Sequence, residues 1–289
     1  MKTLLIIGAA GYLGSHLVRY AAERTNYTVL ASDLDKSRIP AGANVTPLSN
    51  EELFQHPLLC DLAVNCAFSR GNDVAGLVSA LRFNERLVLK MKEGRYPVVN
   101  ISSQGLYKPL EAGNFADEDG EIRPVDMYAL GKFAQERLFT SNLGDRVTNI
   151  RMASLAANAR FLVFFVDSVM QGRAITVTAP NQYASLLDVE DAVTGIFGIC
   201  ALSENERKSI YNLGTGKQYS ILRLAELVNE TGTERGYPPV EIRVEDKGNT
   251  AAAGMDPARL MQDTGWRPEI EMKETIRRMF ENREEMNHD

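Results

Sequence analysis

Thr3-Leu-Leu-Ile-Ile-Gly8-Ala-Ala-Gly11-Tyr-Leu-Gly14-Ser-His-Leu17-Val18 is the stretch on which the reading of the fold turns. Thr3–Ile7 is a continuous apolar run of strand length, the pattern of a strand buried on both faces. Three glycines interrupt it, and Leu17, Val18, Ala21 and Ala22 then recur at helical spacing. Strand, glycine turn and helix in that order give such glycines a chemical meaning. Gly8 permits the tight turn, Gly11 lets the backbone approach a pyrophosphate, and Gly14 lets the helix pack closely on the strand. The first turn of that helix offers unpaired amides to an anion. Gly8, Ala10, Gly11, Tyr12, Leu13 and Gly14 are therefore the expected phosphate side of a dinucleotide site.

A second strand, Thr28–Ser32, ends at Asp33. A carboxylate there accepts hydrogen bonds from the adenosine ribose and repels a 2′-phosphate, which favours NAD over NADP, although Lys36 and Arg38 stand nearby as candidate phosphate partners. Strands at Val45–Leu48 and Leu62–Cys66 follow, with a short helix between them. Next come a helix over Val74–Lys92, a strand over Pro97–Ile101 leading into Ser102-Ser-Gln-Gly-Leu-Tyr107, and a polar loop over Glu111–Pro124. After a further helix, Val147–Arg151 continues the alternation. Strands alternating with helices predict an α/β fold: a doubly wound parallel sheet, covered on both faces, with ligands at the strand C-terminal ends. Gly8, Asp33, Ala67 and Ser103 all fall at such ends.

The helix after the polar loop reads Pro124-Val-Asp-Met-Tyr-Ala-Leu-Gly-Lys-Phe-Ala-Gln-Glu-Arg-Leu138. Tyr128 and Lys132 stand one turn apart on one face. An ammonium beside a phenol favours the phenolate and lowers its pKa from about 10. Tyr128 then suits proton transfer with a substrate oxygen near neutral pH. The plainer reading is an amphipathic helix whose core stripe is Phe133, Ala134 and Leu138.

After Arg151 the rhythm changes. Helices are expected over Phe161–Gln171, Asp188–Ala201, Ile221–Glu230 and Met272–Met286, with strands over Ala174–Val177, Ile210–Leu213 and Val240–Val244. This predicts a smaller C-terminal α+β region that shapes a substrate cleft. The expected division is 1–155 plus about 187–215 for the nucleotide-binding domain, and 156–186 plus 216–289 for the substrate-binding region.

The 289 residues suffice for a real core, and 44% hydrophobic with 24% charged residues describes an ordinary soluble protein. A net charge of -6 without a long basic run argues against nucleic acid. Cys60, Cys66 and Cys200 form no paired or metal-ligand spacing, which suits a reducing cytoplasm. His16, His56 and His288 are scattered, so no metal site is expected. Met1–Ala10 resembles a secretory signal only in its basic start and short apolar run, and Phe161–Val166 is too short to span a bilayer.

Taken together, these motifs resemble the extended short-chain dehydrogenase/reductases of the NAD-dependent epimerase/dehydratase family. The resemblance rests on Gly8-x-x-Gly11-x-x-Gly14, Asp33, Asn65-Cys-Ala67, Asn84, Ser102-Ser103 with Tyr107, and Tyr128-x-x-x-Lys132. It continues through Leu187-Asp-Val-Glu-Asp191, Tyr211-Asn-Leu-Gly-Thr-Gly216, Asp256-Pro-Ala-Arg-Leu and Gly265-Trp-Arg-Pro268. It implies a Rossmann-type fold, bound NAD and an enzyme acting on a sugar, with a nucleotide sugar as the expected substrate. Tyr128 would be the acid/base, Lys132 would hold the nicotinamide ribose, and Ser103 would bind the reacting oxygen. Ser102, Cys66 and Ala67 would line the cofactor, with Asn84 supporting the backbone there; Arg70 would reach the pyrophosphate or, equally, be a solvated loop charge. Cys66 reads as a packing residue rather than a redox switch. A homodimer, paired through the helices at Val74–Lys92 and Tyr128–Thr140, is implied by the same resemblance.

The departures are specific. Relatives acting on nucleotide sugars usually carry arginines where this chain reads Ala179-Pro-Asn-Gln-Tyr-Ala184 and Gly248-Asn-Thr-Ala-Ala-Ala-Gly254. The turn after Arg151 lacks the usual Gly-Pro. A substrate diphosphate needs cations, for which Arg160 or Arg173 are the substitutes at hand. Dehydratases of the family often show Asp-Glu after the Ser103 position, where this chain has Gln104-Gly105. The leading expectation is an NAD-dependent sugar epimerase or dehydratase, within which this departure lowers dehydration. The alternatives are an NAD(P)-dependent reductase or dehydrogenase of a smaller carbonyl compound, and a non-catalytic nucleotide-binding regulatory protein. Retention of Ser103, Tyr128 and Lys132 speaks against the last.

Overall fold

Leu4, Leu5, Ile6 and Ile7 are no more than 1% exposed, as a strand covered on both faces requires. The computed structural model describes residues 2–55, 59–69 and 73–288. The chain runs through β1 (Thr3–Ile7), α1 (Tyr12–Arg24), β2 (Thr28–Asp33), β3 (Val45–Ser49), α2 (Asn50–Gln55), β4 (Leu62–Asn65) and α3 (Val74–Gly94). It continues with β5 (Val98–Ile101), α4 (Met127–Leu143), β6 (Val147–Met152), β7 (Ser154–Leu155), α5 (Arg160–Met170), β8 (Ile175–Val177) and β9 (Tyr183–Ala184). Next are β10 (Leu186–Leu187), α6 (Val189–Ala201), β11 (Ile210–Leu213), β12 (Tyr219–Ser220) and α7 (Ile221–Glu234). The last elements are β13 (Ile242–Val244), α8 (Ala258–Thr264) and α9 (Met272–His288). No helix among the described residues is long and apolar enough to cross a membrane.

Seven strands form one sheet in the order β11-β6-β5-β4-β1-β2-β3, with every pairing parallel. The order reverses between β1 and β4, so the crevice at their C-terminal ends is the switch point where such sheets bind ligands. Alternate residues of β1 serve two cores. Leu4 and Ile6 pack with Leu17 and Val18 of α1 and Ile196 of α6. Leu5 and Ile7 pack with Leu53 of α2, Leu87 and Met91 of α3, and Phe139 of α4. The expected α/β doubly wound sheet is the one observed.

A third core joins Leu162, Phe165 and Val166 of α5 to Leu224 and Val228 of α7 and Ile276 and Phe280 of α9. From the late chain, Met255, Leu260 and Trp266 pack instead into the core that includes α6 and β11. The late motifs act as clamps. Asp191 accepts from the backbone N–H groups of Glu269 and Ile270, both at 3.0 Å. Asp188 caps α6 and accepts from Thr275 Oγ1 at 2.8 Å, and Trp266 Nε1 donates to Thr194 Oγ1 at 3.1 Å. The helix α8 lies outside the sequence expectations, because seven residues give too little periodicity to register.

Candidate active site

The glycine loop closes tightly on itself. The N–H groups of Gly8 and Ala9 both donate to Ser32 O, at 2.9 and 3.1 Å. Gly8 has φ +81°, and a Cβ on it would stand 2.9 Å from Ala67 N; a Cβ on Gly14 would fall 2.0 Å from Gly8 O. Only glycine fits either place. The cap residue of α1, Gly11, brings no side chain to the first-turn amides, and no acidic residue occupies that turn. A helix terminus left open this way suits an anion. Asp33 lies at the edge of the loop, with Oδ2 accepting from Ala10 N at 2.9 Å and Oδ1 from Leu34 N at 2.7 Å. Lys36 is drawn off to Glu52 at 2.7 Å, away from the role of a phosphate partner. The glycine cradle, the open helix end and the carboxylate at the strand end fit a dinucleotide. Arg70 and His56 lie outside the described residues.

On the other side of the switch point, Asn65 Oδ1 accepts from Ala67 N at 3.1 Å. Ala67 O accepts from Asn84 Nδ2 at 3.3 Å and from Gln135 Nε2 at 3.5 Å. Asn84 is fully buried, and its Oδ1 accepts from both Asn65 Nδ2 and Gln135 Nε2, at 2.9 and 2.8 Å. Its bonds therefore end on protein, and it acts on the site by holding the Ala67 backbone. Burial pushes the Cys66 thiol up to about 12, leaving it a packing group.

Asp126 caps α4 by accepting from Ala129 N at 2.7 Å. The buried face of this helix differs from the expected stripe. Phe133, Ala134 and Leu138 are only half-buried, whereas Lys132, Gln135 and Glu136 are buried. Polar partners explain the inversion. Lys132 Nζ donates to Ile101 O at 2.7 Å and to Gln135 Oε1 at 3.0 Å. It also stands 4.5 Å from the ring centroid of Phe68, which meets Tyr128 edge-on with centroids 5.9 Å apart. Glu136 receives Arg151 in a two-pronged ion pair at 3.2 and 3.1 Å. Tyr107 accepts from Arg151 Nη1 and donates to Asn212 Oδ1, so this tyrosine braces the site from within the core.

Ser103 is half-buried at the end of β5, its Oγ accepting from Gly105 N at 3.1 Å. Ser103 and Tyr128 line one cavity of about 480 Å³. Ser102, Gln104, Arg160 and Ser185 line it too. The two arginine-poor stretches reach this cavity through Gln182, Tyr183, Ala184 and Ala253. Arg160 is the only cationic side chain lining it among the described residues, and Arg173 is not part of the lining. Phe68 and Gln135 were not anticipated as site residues. Phe68 directly follows the Asn65-Cys-Ala67 strand end, and Gln135 lies three residues beyond Lys132 on the same helix face, so position alone could have suggested both.

Comparison with known proteins agrees with this geometry. The model of the NAD dependent epimerase/dehydratase family matches residues 4–214. UDP-glucuronic acid decarboxylase 1 of Arabidopsis thaliana is 24% identical, over 97% of this chain and 70% of that protein. UDP-glucose 4-epimerase of Dictyostelium discoideum is 22% identical, over 91% of this chain and 90% of that protein. The crystal structure of dTDP-glucose 4,6-dehydratase from Bacillus anthracis in complex with NAD superposes with a TM-score of 0.86 at 15% identity, covering 100% of this chain and 98% of that one. With the glycine cradle, the strand-end carboxylate and the Tyr128–Lys132 helix all in place, the chain belongs to the NAD-dependent epimerase/dehydratase family.

Proposed function

We propose that the protein is an NAD-dependent epimerase/dehydratase-type oxidoreductase of a nucleotide sugar, acting as an epimerase. The observation that carries this reading is the shared cavity of Ser103 and Tyr128, with Lys132 one turn along the same helix. Tyr128 takes the proton of a substrate hydroxyl, and Ser103 hydrogen-bonds the same oxygen. Lys132 holds the nicotinamide ribose and favours the Tyr128 phenolate. Gly8, Ala10, Gly11, Tyr12, Leu13 and Gly14 hold the pyrophosphate, Asp33 the adenosine ribose, and Ser102, Cys66 and Ala67 line the nicotinamide side. When bound, the nicotinamide supplies the hydride acceptor and returns the hydride.

Denaturing the purified protein and weighing the released nucleotide tests this. Stoichiometric NAD is expected. A protein that emerges empty and prefers added NADP would overturn it. A second reading, an exchangeable-cofactor reductase of a smaller carbonyl compound, is favoured by the absence of arginine from the two stretches 179–184 and 248–254, which reach the cavity through Gln182, Tyr183, Ala184 and Ala253.

The expected two-part division is supported by the separate core of α5, α7 and α9, which would shape the substrate side. Limited proteolysis that released no fragment near residues 156–186 or 216–289 would count against it. A homodimer is supported by Val74, Leu89 and Leu130, exposed at 67, 58 and 48% on α3 and α4. A scattering mass near the 32.0 kDa of one chain would remove it. A reducing cytoplasm is supported by three unpaired cysteines, and recovery of the protein in a membrane fraction would contradict it.

A further inference from the structure

We propose that Gln104, together with Ser185, forms a subsite that selects a neutral hydroxyl of the substrate and rejects a carboxylate; this rests on the nucleotide-sugar reading above. Gln104 Nε2 donates to Ser154 Oγ and to Ser185 O, each at 3.1 Å. Both hydrogens of the amide are thereby committed. Turning the amide over would set Oε1 against the Ser185 carbonyl, acceptor against acceptor, so the network fixes its orientation. Gln104 Oε1 is buried and finds no donor among the described residues. Ser102 Oγ and Ser185 Oγ, in residues 3% and 1% exposed, are also without partners among the described residues.

Buried polar atoms are ordinarily satisfied, and an unpaired one calls for an explanation. Here three belong to residues lining the cavity that also holds Ser103 and Tyr128. The partner they lack is on the ligand side. Gln104 Oε1 can only accept, so it takes a donor. A sugar hydroxyl donates to it and still accepts from a serine hydroxyl. An ionised carboxylate only accepts, and would meet Oε1 with repulsion and a desolvation cost. Arg160, the one cation lining the cavity among the described residues, is exposed, and Asp126 is the other acidic or basic side chain lining it there. The Dictyostelium and Arabidopsis relatives are named for UDP-glucose and UDP-glucuronic acid. Gln104 places this chain with the neutral sugar.

The test is calorimetric titration of the full-length, NAD-loaded protein with UDP-glucose, UDP-glucuronic acid and UDP. UDP-glucose is expected to bind about ten-fold more tightly than UDP-glucuronic acid. Gln104→Met and Ser185→Ala should each erase about ten-fold of the UDP-glucose affinity while NAD binding persists. Ser185→Ala should also raise the melting temperature, because it removes a buried hydroxyl that lacks a partner in the free protein. The opposed signs on stability and affinity separate a ligand contact from a structural role. Equal or tighter binding of UDP-glucuronic acid overturns the inference, as does wild-type UDP-glucose affinity in both variants. UDP binding with no gain from either sugar sinks the inference alone. Failure of all three ligands to bind overturns the nucleotide-sugar reading and the inference with it.

Discussion

Gln135 Oε1 accepts a 3.0 Å hydrogen bond from Lys132 Nζ one turn earlier on α4, while Gln135 Nε2 donates to Asn84 Oδ1 at 2.8 Å. The amide thus sets where the ammonium sits. Gln135→Leu keeps the bulk and removes these bonds together with the longer one to Ala67 O. The acid limb of the kcat profile should move to higher pH, because a loosened ammonium favours the Tyr128 phenolate less, and kcat/KM should fall about ten-fold. An unchanged pH profile would show that Gln135 serves packing alone.

Tyr128→Phe leaves the edge-on contact with Phe68 in place and deletes only the phenolic oxygen. Turnover should fall by about 100-fold or more, with NAD affinity nearly intact. Near-normal turnover in this variant would refute the assignment of the acid/base.

The Arg151–Glu136 pair has both side chains only 5% exposed. Glu136→Ala strands a buried guanidinium and should cost about 3 kcal/mol or more in urea unfolding. Replacing Glu52, partner of Lys36 in a pair that water reaches, should shift the same curve far less. Equal shifts for the two variants would contradict the burial argument.

Glu118 is held above its ordinary value of 4.5, chiefly by burial, with Asn212 N and Arg259 acting in the opposite direction. A carboxyl whose folded pKa is raised binds more protons folded than unfolded, so stability drains away as pH rises from about 4.5 through the raised value. Urea midpoints measured across this window should fall less in Glu118→Gln than in the parent. Parallel curves would show that Glu118 contributes nothing to the slope.

Burial pushes the thiols of Cys60, Cys66 and Cys200 all up to about 12. The native protein should react slowly with a disulfide reagent at pH 8, and all three thiols should react on unfolding. A fast stoichiometric burst in the native state would single out a thiolate that burial fails to suppress.

The scaffold was legible wherever local pattern and tertiary role coincide. Thr3–Ile7 is apolar because both faces of β1 are covered, and the Gly8 and Gly14 spacing marks the turn that admits no Cβ. Tyr128 and Lys132 announced a shared helix face by their separation. What stayed hidden depends on partners distant in sequence. Phe68, from the turn after β4, meets α4 only once the sheet is assembled. Gln104 acquires meaning from Ser185, 81 positions away. The polar buried face of α4 defeated the periodicity reading, because Lys132 and Glu136 count as surface residues until Ile101 and Arg151 come to meet them.

Asn65, Asn100 and Asn149 are mutual register partners on β4, β5 and β6. Asn65 Nδ2 donates to Asn100 Oδ1 at 3.0 Å, Asn100 Nδ2 to Asn149 Oδ1 at 2.9 Å, and Asn149 Nδ2 to Thr140 Oγ1 at 3.2 Å. Through Asn65 the row joins Asn84, then Gln135 and Lys132. A strand slipped along its neighbour would strand amides in an apolar interior, so misaligned sheets are selected against during folding. The amides that align three central strands thus also anchor the side chain that holds the ammonium, so the register of the sheet and the placement of Lys132 rest on one connected network.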